Sequence, residues 1–427
     1  MLIEFSVENF LSFRKRVTFS MVADTIKEHF EDNAFGINFG KIRGLKSAAI
    51  YGANASGKSN LIKAIAWMKQ LVMQSVNFSQ SNQIELANTF RLDESLKNKP
   101  SRFEIIFIEA GKQFRYGFEV TKNEIIAEWL FVKNNRKETQ LFIREKNKFE
   151  LNRDFKEGKG LEKNTTSRAL FITVTAQFNG KISAQVLNWF NHLSIIQEYM
   201  ISLSNQAIYQ VLKKHPAHKQ KILKFLRLAD IHIDDFEFDN EKISGADLSA
   251  NLGGMFNNLV IPEISYIKVS TYRKSLKKSN VKFDLDTEES GGTKKIFALA
   301  LPIFLSLEFG RTIIIDEIEE NLHFLLTKAI ICLFNSTANK KNAQLIFTTH
   351  DTNLLANKLF RRDQIWFTEK DESGATDLYS LIDIEDQNKN KIRNDASFEK
   401  DYLLGKYGAI PFIGDLFSLF AGNANEK

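Results

Sequence analysis

Gly52-Ala53-Asn54-Ala55-Ser56-Gly57-Lys58-Ser59 is the stretch on which the fold turns. It fits the phosphate-binding pattern G-x-x-x-x-G-K-[ST] without a mismatch. Before it, Ser47-Ala48-Ala49-Ile50-Tyr51 is short, mostly apolar and ends at a glycine, as a buried strand does. After it, Leu61, Ile65, Met68, Val72 and Val76 recur at helical spacing, so a helix starts at the loop. Strand, glycine loop and helix together aim backbone N–H groups and a helix N-terminus at one anion. Lys58 is then the cation that reaches the outer phosphates of a nucleotide, and the Ser59 hydroxyl is a ligand for Mg²⁺. Gly52, Ala53, Asn54, Ala55, Ser56, Gly57 and Asn60 complete the expected cradle.

Composition narrows what such a site can belong to. With 43% hydrophobic and 26% charged residues over 427 positions, the chain is long enough for two or three lobes around a sizeable core. No apolar run approaches the roughly 18–20 residues of a membrane span. Met1-Leu2-Ile3-Glu4-Phe5 carries an acid where an export signal carries bases, so the cytoplasm is the expected compartment and no membrane partner is expected. The single cysteine, Cys332, excludes an intramolecular disulfide and a cysteine zinc cluster. Set in Ala329-Ile330-Ile331-Cys332-Leu333, it is expected to be buried and inert. A net charge of +6 is compatible with nucleic-acid contact without establishing it. The positive charge concentrates at Lys268, Arg273, Lys274, Lys277, Lys278 and Lys282, which reads as a solvated basic loop or a phosphate-contacting one.

Along the chain, residues 2–20 alternate as two strands around Asn9-Phe10-Leu11-Ser12-Phe13. Ser75 to Asn88 is polar and expected to be irregular. Residues 101–151 give a run of strand signals with short polar turns, an antiparallel β lobe. Ser183 to Leu228 turns helical, interrupted at His215-Pro216-Ala217-His218, whose histidines lack a further metal ligand nearby in sequence. Asp230 to Glu241 interleaves acids with Ile231, Ile233, Phe236 and Phe238, as an edge strand with one wet face does. Between Ser59 and Glu289 no heptads are sustained, so no long coiled coil is expected.

A second set of motifs follows. Glu289-Ser290-Gly291-Gly292-Thr293-Lys294-Lys295 opens a helix that runs through Ile296, Leu299, Leu301, Phe304 and Leu307. A hydroxyl and bare amides at a helix start make another anion cradle, although a plain capped helix reads the same in isolation. Thr312-Ile313-Ile314-Ile315-Asp316-Glu317 is a buried strand ending in two acids: Asp316 suits Mg²⁺, and Glu317 suits polarisation of an attacking water. Gln344-Leu345-Ile346-Phe347-Thr348-Thr349-His350-Asp351 is a third strand, and its carboxyl end places His350 towards the outer phosphate.

These four elements in this order resemble the ATP-binding-cassette heads of the SMC, RecF and OLD-type ATPases. The resemblance implies an α/β P-loop ABC-ATPase head, with a mixed central sheet, an antiparallel β lobe and a helical insertion. On that plan residues 1–180 form the N-terminal part of the head, 181–262 the mainly helical insertion and 263–427 the C-terminal part. It also implies ATP and Mg²⁺ as cofactors and ATP hydrolysis as the activity. Ser290, Gly291 and Gly292 would grip the γ-phosphate held by the Lys58 of a second protomer, so the chain is expected to be a homo-oligomer, a dimer at least or a larger ring.

The chain looks closer still to the short RecF/OLD-like ATPases of bacterial phage-defence operons, the RloA, AbiL and PARIS ATPase group. Phe5-Ser6-Val7-Glu8-Asn9-Phe10-Leu11-Ser12-Phe13, Tyr51 to Ser59, Asp316 to His323 and Tyr402-Leu403-Leu404-Gly405-Lys406-Tyr407-Gly408-Ala409-Ile410-Pro411 carry that likeness. It implies antiviral defence by abortive infection, in which the ATPase restrains a separate effector, often a TOPRIM-type nuclease, until a phage-encoded trigger arrives. Asp284-Leu285-Asp286 and Asp383-Ile384-Glu385 sit in alternating segments and lack the glutamate-bearing strand of such a nuclease, so the effector is expected in trans. A RecF-like DNA-repair ATPase that binds duplex DNA is the alternative, and a transporter subunit fits least. Glu289 departs from the usual leucine, Ile318 and Phe324 from common prolines, and Gln83 is an unsupported candidate for the glutamine that often completes the Mg²⁺ shell.

Overall fold

Every residue of the strand Ser47–Gly52 is buried, and this strand lies inside a six-stranded sheet in the computed structural model. The structure describes residues 1–37, 42–79, 88–134, 137–197, 201–243, 264–356, 359–385, 389–412 and 414. Across the sheet the order is Ser194–Ile196, Thr312–Ile315, Gln344–Thr348, Ser47–Gly52, Ile365–Lys370 and Thr376–Ser380. The first five strands pair in parallel and the last is antiparallel. Thr312–Ile315 and Gln344–Thr348 are buried along their whole length, which is why they read as continuous apolar runs.

Side chains alternate between the two faces of this sheet, and each face builds a core. Ala48, Ile50, Ile314 and Ile346 pack with the helix Lys58–Ser79 and with the β lobe. Ala49, Tyr51, Ile313, Ile315, Leu345 and Phe347 pack with the helices Gly291–Phe309 and Phe324–Phe334. The fold is thus a P-loop ABC-type head in which the nucleotide motifs all lie on, or directly after, one sheet.

The β lobe is a seven-stranded antiparallel sheet running from Lys148–Leu151 through Lys137–Glu145, Ile125–Asn134, Lys112–Val120, Ser101–Glu109 and Leu2–Glu8 to Val17–Ser20. Its inner face is aromatic, with Phe103, Phe107, Phe114 and Phe118 buried. Asp235–Ile243, an edge strand as expected, pairs with Ile264–Lys274, which pairs with Asn280–Asp284. Lys181–His192, Ile201–Lys214 and His218–Leu228 supply the helices of the middle region. Among the described residues the longest helix, Lys58–Ser79, has 22 residues, and no helix is long and apolar enough to cross a membrane.

Three expectations change. Cys332 is exposed rather than buried. Thr327, Ile330, Ile331 and Phe334 are the positions that the helix Phe324–Phe334 buries, and the helical period turns residue 332 away from them. Ser75–Ser79, expected to be irregular, continues the helix, because helical propagation from a packed face costs little; Gln83 lies outside the described residues. Asp284-Leu285-Asp286 does not alternate along a strand: Asp284 ends one, and its Oδ1 caps a turn by accepting the N–H groups of Asp286 and Thr287.

Candidate functional site

The phosphate loop leaves its strand at Gly52 and enters its helix at Lys58. Gly57 has φ 118°, and a Cβ there would lie 2.3 Å from Thr376 Oγ1, so this position requires glycine. Lys58 is buried and its Nζ donates to Gly52 O at 2.9 Å and Ala53 O at 3.0 Å. Burial pulls its pKa down to about 8, against the opposing pull of Glu317, Asp316 and Glu319. Hydroxyl groups from distant segments brace the loop. Ser56 Oγ lies 2.6 Å from Thr368 Oγ1, and Thr376 Oγ1 lies 2.7 Å from Ser56 O and 2.8 Å from Ser12 Oγ. Asn60 Nδ2 donates to the same Ser12 hydroxyl at 2.8 Å; its side chain braces the opening segment.

The acids stand one strand away. Asp316 Oδ1 accepts from Ser59 Oγ at 3.2 Å and from Thr348 Oγ1 at 2.6 Å. Glu317 N–H donates in turn to Thr348 Oγ1 at 2.7 Å, with φ 49° at Glu317. One threonine therefore holds the Asp316 carboxylate and the backbone at Glu317. His350 N–H donates to Glu319 Oε1 at 2.5 Å. Burial and then Lys58 hold the His350 pKa below its ordinary value, while Glu319, Glu317 and Asp316 oppose them. The histidine, the lysine and the three carboxylates therefore share one electrostatic neighbourhood. Ser59 and Asp316 present hard oxygen donors of the kind Mg²⁺ takes.

Ser290 caps the helix Gly291–Phe309 by accepting the Thr293 N–H at 3.1 Å. Ser290 and Gly291 are exposed. A Cβ on Gly292 would lie 2.7 Å from Asn321 O, so the helix start rests directly on the loop after Glu317. Lys295, buried on that helix, donates to Glu317 O at 2.6 Å. Glu289 is buried too: Oε1 accepts from Thr271 Oγ1 at 2.7 Å, and Arg273 reaches both carboxylate oxygens at 2.8 Å. Among the described residues no hydrogen bond joins Ser290, Gly291 or Gly292 to Lys58 or Ser59.

A family model described as "AAA domain, putative AbiEii toxin, Type IV TA system" matches residues 47–356. The chain belongs to this AAA family. The match runs from the phosphate-loop strand to just beyond His350, so it contains the phosphate loop, Ser290-Gly291-Gly292, Asp316-Glu317 and His350. Among solved structures, this AAA-family chain is similar to the SMC head domain from Thermotoga maritima (16% identity, TM-score 0.39, covering 89% of this chain and 98% of that one). It is also similar to an Smc head bound to the C-terminal winged-helix domain of ScpA (14%, 0.44, 89% and 97%). A third is an Smc head with an extended coiled coil bound to the ScpA C-terminal domain, from Pyrococcus furiosus (12%, 0.38, 89% and 96%). A comparison with curated proteins finds no match.

Sequence reasoning placed Lys58, Ser59, Asp316, Glu317 and His350 in one site and left Ser12, Lys295, Glu319, Thr348, Thr368 and Thr376 without a role. Thr348 and Glu319 lie inside quoted motifs, and a hydroxyl or carboxylate next to a motif acid was the available signal. Ser12, Thr368 and Thr376 carry no such mark. His215 and His218 have ring centroids 5.5 Å apart. His218 lies 3.9 Å from Glu308, and no group of three or more metal-ligating side chains gathers among the described residues. In the basic run, Lys268 pairs with Asp284 and Glu241, Lys282 with Asp239, and Arg273 with Glu289.

Proposed function

We propose that this chain is an ATP-hydrolysing head that works in pairs, each Lys58 site being closed by Ser290, Gly291 and Gly292 of a second copy. We propose further that this pairing, within a dimer or a larger ring, controls a separate toxic effector. The observation that carries the reading is the meeting of Lys58, Ser59, Asp316, Glu317 and His350 after three adjacent parallel strands. The exposed Ser290 supports the pairing, because it offers a hydroxyl and a helix N-terminus outward.

In this reading the backbone of Gly52, Ala53, Asn54, Ala55, Ser56, Gly57 and Lys58 cradles the phosphates. Lys58 leaves the Gly52 and Ala53 carbonyls for the outer phosphates. Ser59 and Asp316 would hold Mg²⁺, which would supply charge neutralisation. Glu317 takes a proton from the attacking water, and His350 faces the outer phosphate. The family description names a putative toxin of a type IV system, which supports a place for this chain in such a system. The effector we favour is a TOPRIM-type nuclease in trans, released by a phage-encoded trigger in the cytoplasm.

A second reading, an ATPase that binds duplex DNA, is favoured by Lys274, Lys277 and Lys278. These are exposed around a hairpin turn and make no ion pair among the described residues. The test is Glu317→Gln. Turnover should fall at least 100-fold, about 2.7 kcal/mol of barrier, while ATP stays bound. Tagged Glu317→Gln protein, expressed with its neighbouring genes, should then retain a stoichiometric nuclease-like protein in the presence of Mg-ATP. Retention of nucleic acid alone favours the second reading, and near-normal turnover removes Glu317 from its role.

A further inference from the structure

Glu319 has no part in the chemistry above, yet the fold engages one of its oxygens and leaves the other waiting. Oε1 accepts the His350 backbone N–H at 2.5 Å, tying the loop after Asp316-Glu317 to the loop after the strand Gln344–Thr348. Oε2 is buried and meets no hydrogen-bond donor. A buried carboxylate oxygen without a donor forfeits the hydrogen bonds that water gave it. Such an atom in a folded protein calls for a partner that arrives later.

Three donors feel this carboxylate electrostatically, Lys58, His350 and Tyr51, and the Tyr51 hydroxyl is turned to the Asp351 carbonyl at 3.3 Å. Lys58 is already spent on the Gly52 and Ala53 carbonyls, and in the ATPase reading it turns to phosphate. The His350 imidazole makes no hydrogen bond to a described residue. Its backbone is held against the same carboxylate, so the ring is tethered within a side chain's length of Oε2. A carboxylate that takes one ring N–H fixes the orientation of a histidine and aims its other nitrogen.

We infer that Glu319 is the positioning residue for His350: one oxygen holds the backbone N–H, and the other takes an imidazole N–H when nucleotide closes the site. The opposite ring nitrogen is then directed at the outer phosphate. This inference rests on the ATPase reading, in which Lys58 and the loop amides hold the nucleotide, and Glu319 makes no hydrogen bond to Lys58 among the described residues. The contribution of Glu319 therefore falls on turnover and spares ATP binding.

Glu319→Gln separates the two contacts. Its amide oxygen still accepts the His350 N–H, but its NH₂ group cannot accept from the ring. ATPase kinetics of the full chain should show kcat down about tenfold with KM for ATP changed less than about twofold. His350→Ala should lose at least as much, and the double variant should be no slower than His350→Ala alone. Wild-type kcat in Glu319→Gln, or losses that multiply in the double variant, overturns the inference. Glu317→Gln run in parallel separates this failure from that of the ATPase reading. A dead Glu317→Gln beside a normal Glu319→Gln removes only the Glu319–His350 link, whereas an active Glu317→Gln removes both. Should the Gln variant fold poorly, Glu319→Asp replaces it; its carboxylate is too short to span both groups and should give the same non-additive loss.

Discussion

Two lysines on one face of the helix Lys58–Ser79, Lys58 buried and Lys69 half-buried, lose solvent for different reasons. Lys58 ends near acids, whereas among the described residues Lys69 donates to the Leu193 carbonyl, at 2.6 Å, and to no carboxylate. Burial pulls the Lys69 pKa from 10.5 to about 8. Below about pH 8 the side chain is charged in both folded and unfolded states, and the full cost of burying that charge is present. Between about 8 and 10.5 the unfolded chain binds more protons than the folded one, so stability rises with pH. Lys69→Met removes this dependence. Its melting midpoint should exceed that of wild type at pH 7, and the gap should shrink towards pH 10. A gap that does not change with pH shows that Lys69 stays solvated. Thr348 makes the converse point: one neutral hydroxyl bonds the Asp316 carboxylate and the Glu317 backbone N–H, fixing one charge and the backbone that carries the next.

The helix Gly291–Phe309 is where the two halves of the chemistry meet within one chain. Its cap, Ser290, faces outward, while Gly292 and Lys295 face the loop that carries Glu317. Helical glycines ordinarily gain roughly 0.5–1 kcal/mol on replacement by alanine, so any loss reports contact. A Cβ at Gly291 meets the Asn321 Oδ1 at 3.2 Å, an atom on a side chain that can move. At Gly292 it meets the Asn321 backbone oxygen at 2.7 Å, which can yield only if the loop moves. Gly291→Ala should therefore keep its melting midpoint. Gly292→Ala should cost about 1–3 kcal/mol and lose turnover beyond what ATP binding loses. Equal behaviour of the two variants would mean that the close packing has no bearing on Glu317. Arg273 and Thr271 extend this linkage, because both hold Glu289 from the three-stranded sheet.

At the scale of the molecule, one sheet divides two cores, and among the described residues Ser290 makes no hydrogen bond to the phosphate loop. The paired-head reading makes a strong demand on that geometry. Ser290→Arg should bind ATP as a monomer but fail to pair, seen as loss of the ATP-dependent dimer in light scattering. Lys58→Ala should bind no nucleotide. Mixed together, the two inactive chains form one intact composite site, Lys58 from the first and Ser290 from the second, so ATPase activity should reappear. Full activity of Ser290→Arg alone would mean that the site is complete in one chain.

The sequence by itself determined the strand, loop and helix around Gly52–Ser59, the acids after Thr312–Ile315 and the place of His350. Each depends on local pattern: an apolar run long enough to be buried on both faces, a glycine where the backbone must turn, and a charge where the strand stops. The antiparallel lobe was legible for the same reason. Tertiary structure alone decided which distant groups meet. Ser12, Thr368 and Thr376 reach the phosphate loop from opposite ends of the chain, and Lys295 reaches Glu317 from a neighbouring helix. Such hydrogen bonds leave no periodic trace, because each uses a single polar side chain whose partner is set by strand order. Cys332 was misread on the same ground: an apolar run gives a helix a buried face, but the packing of its neighbours decides which residues lie on that face.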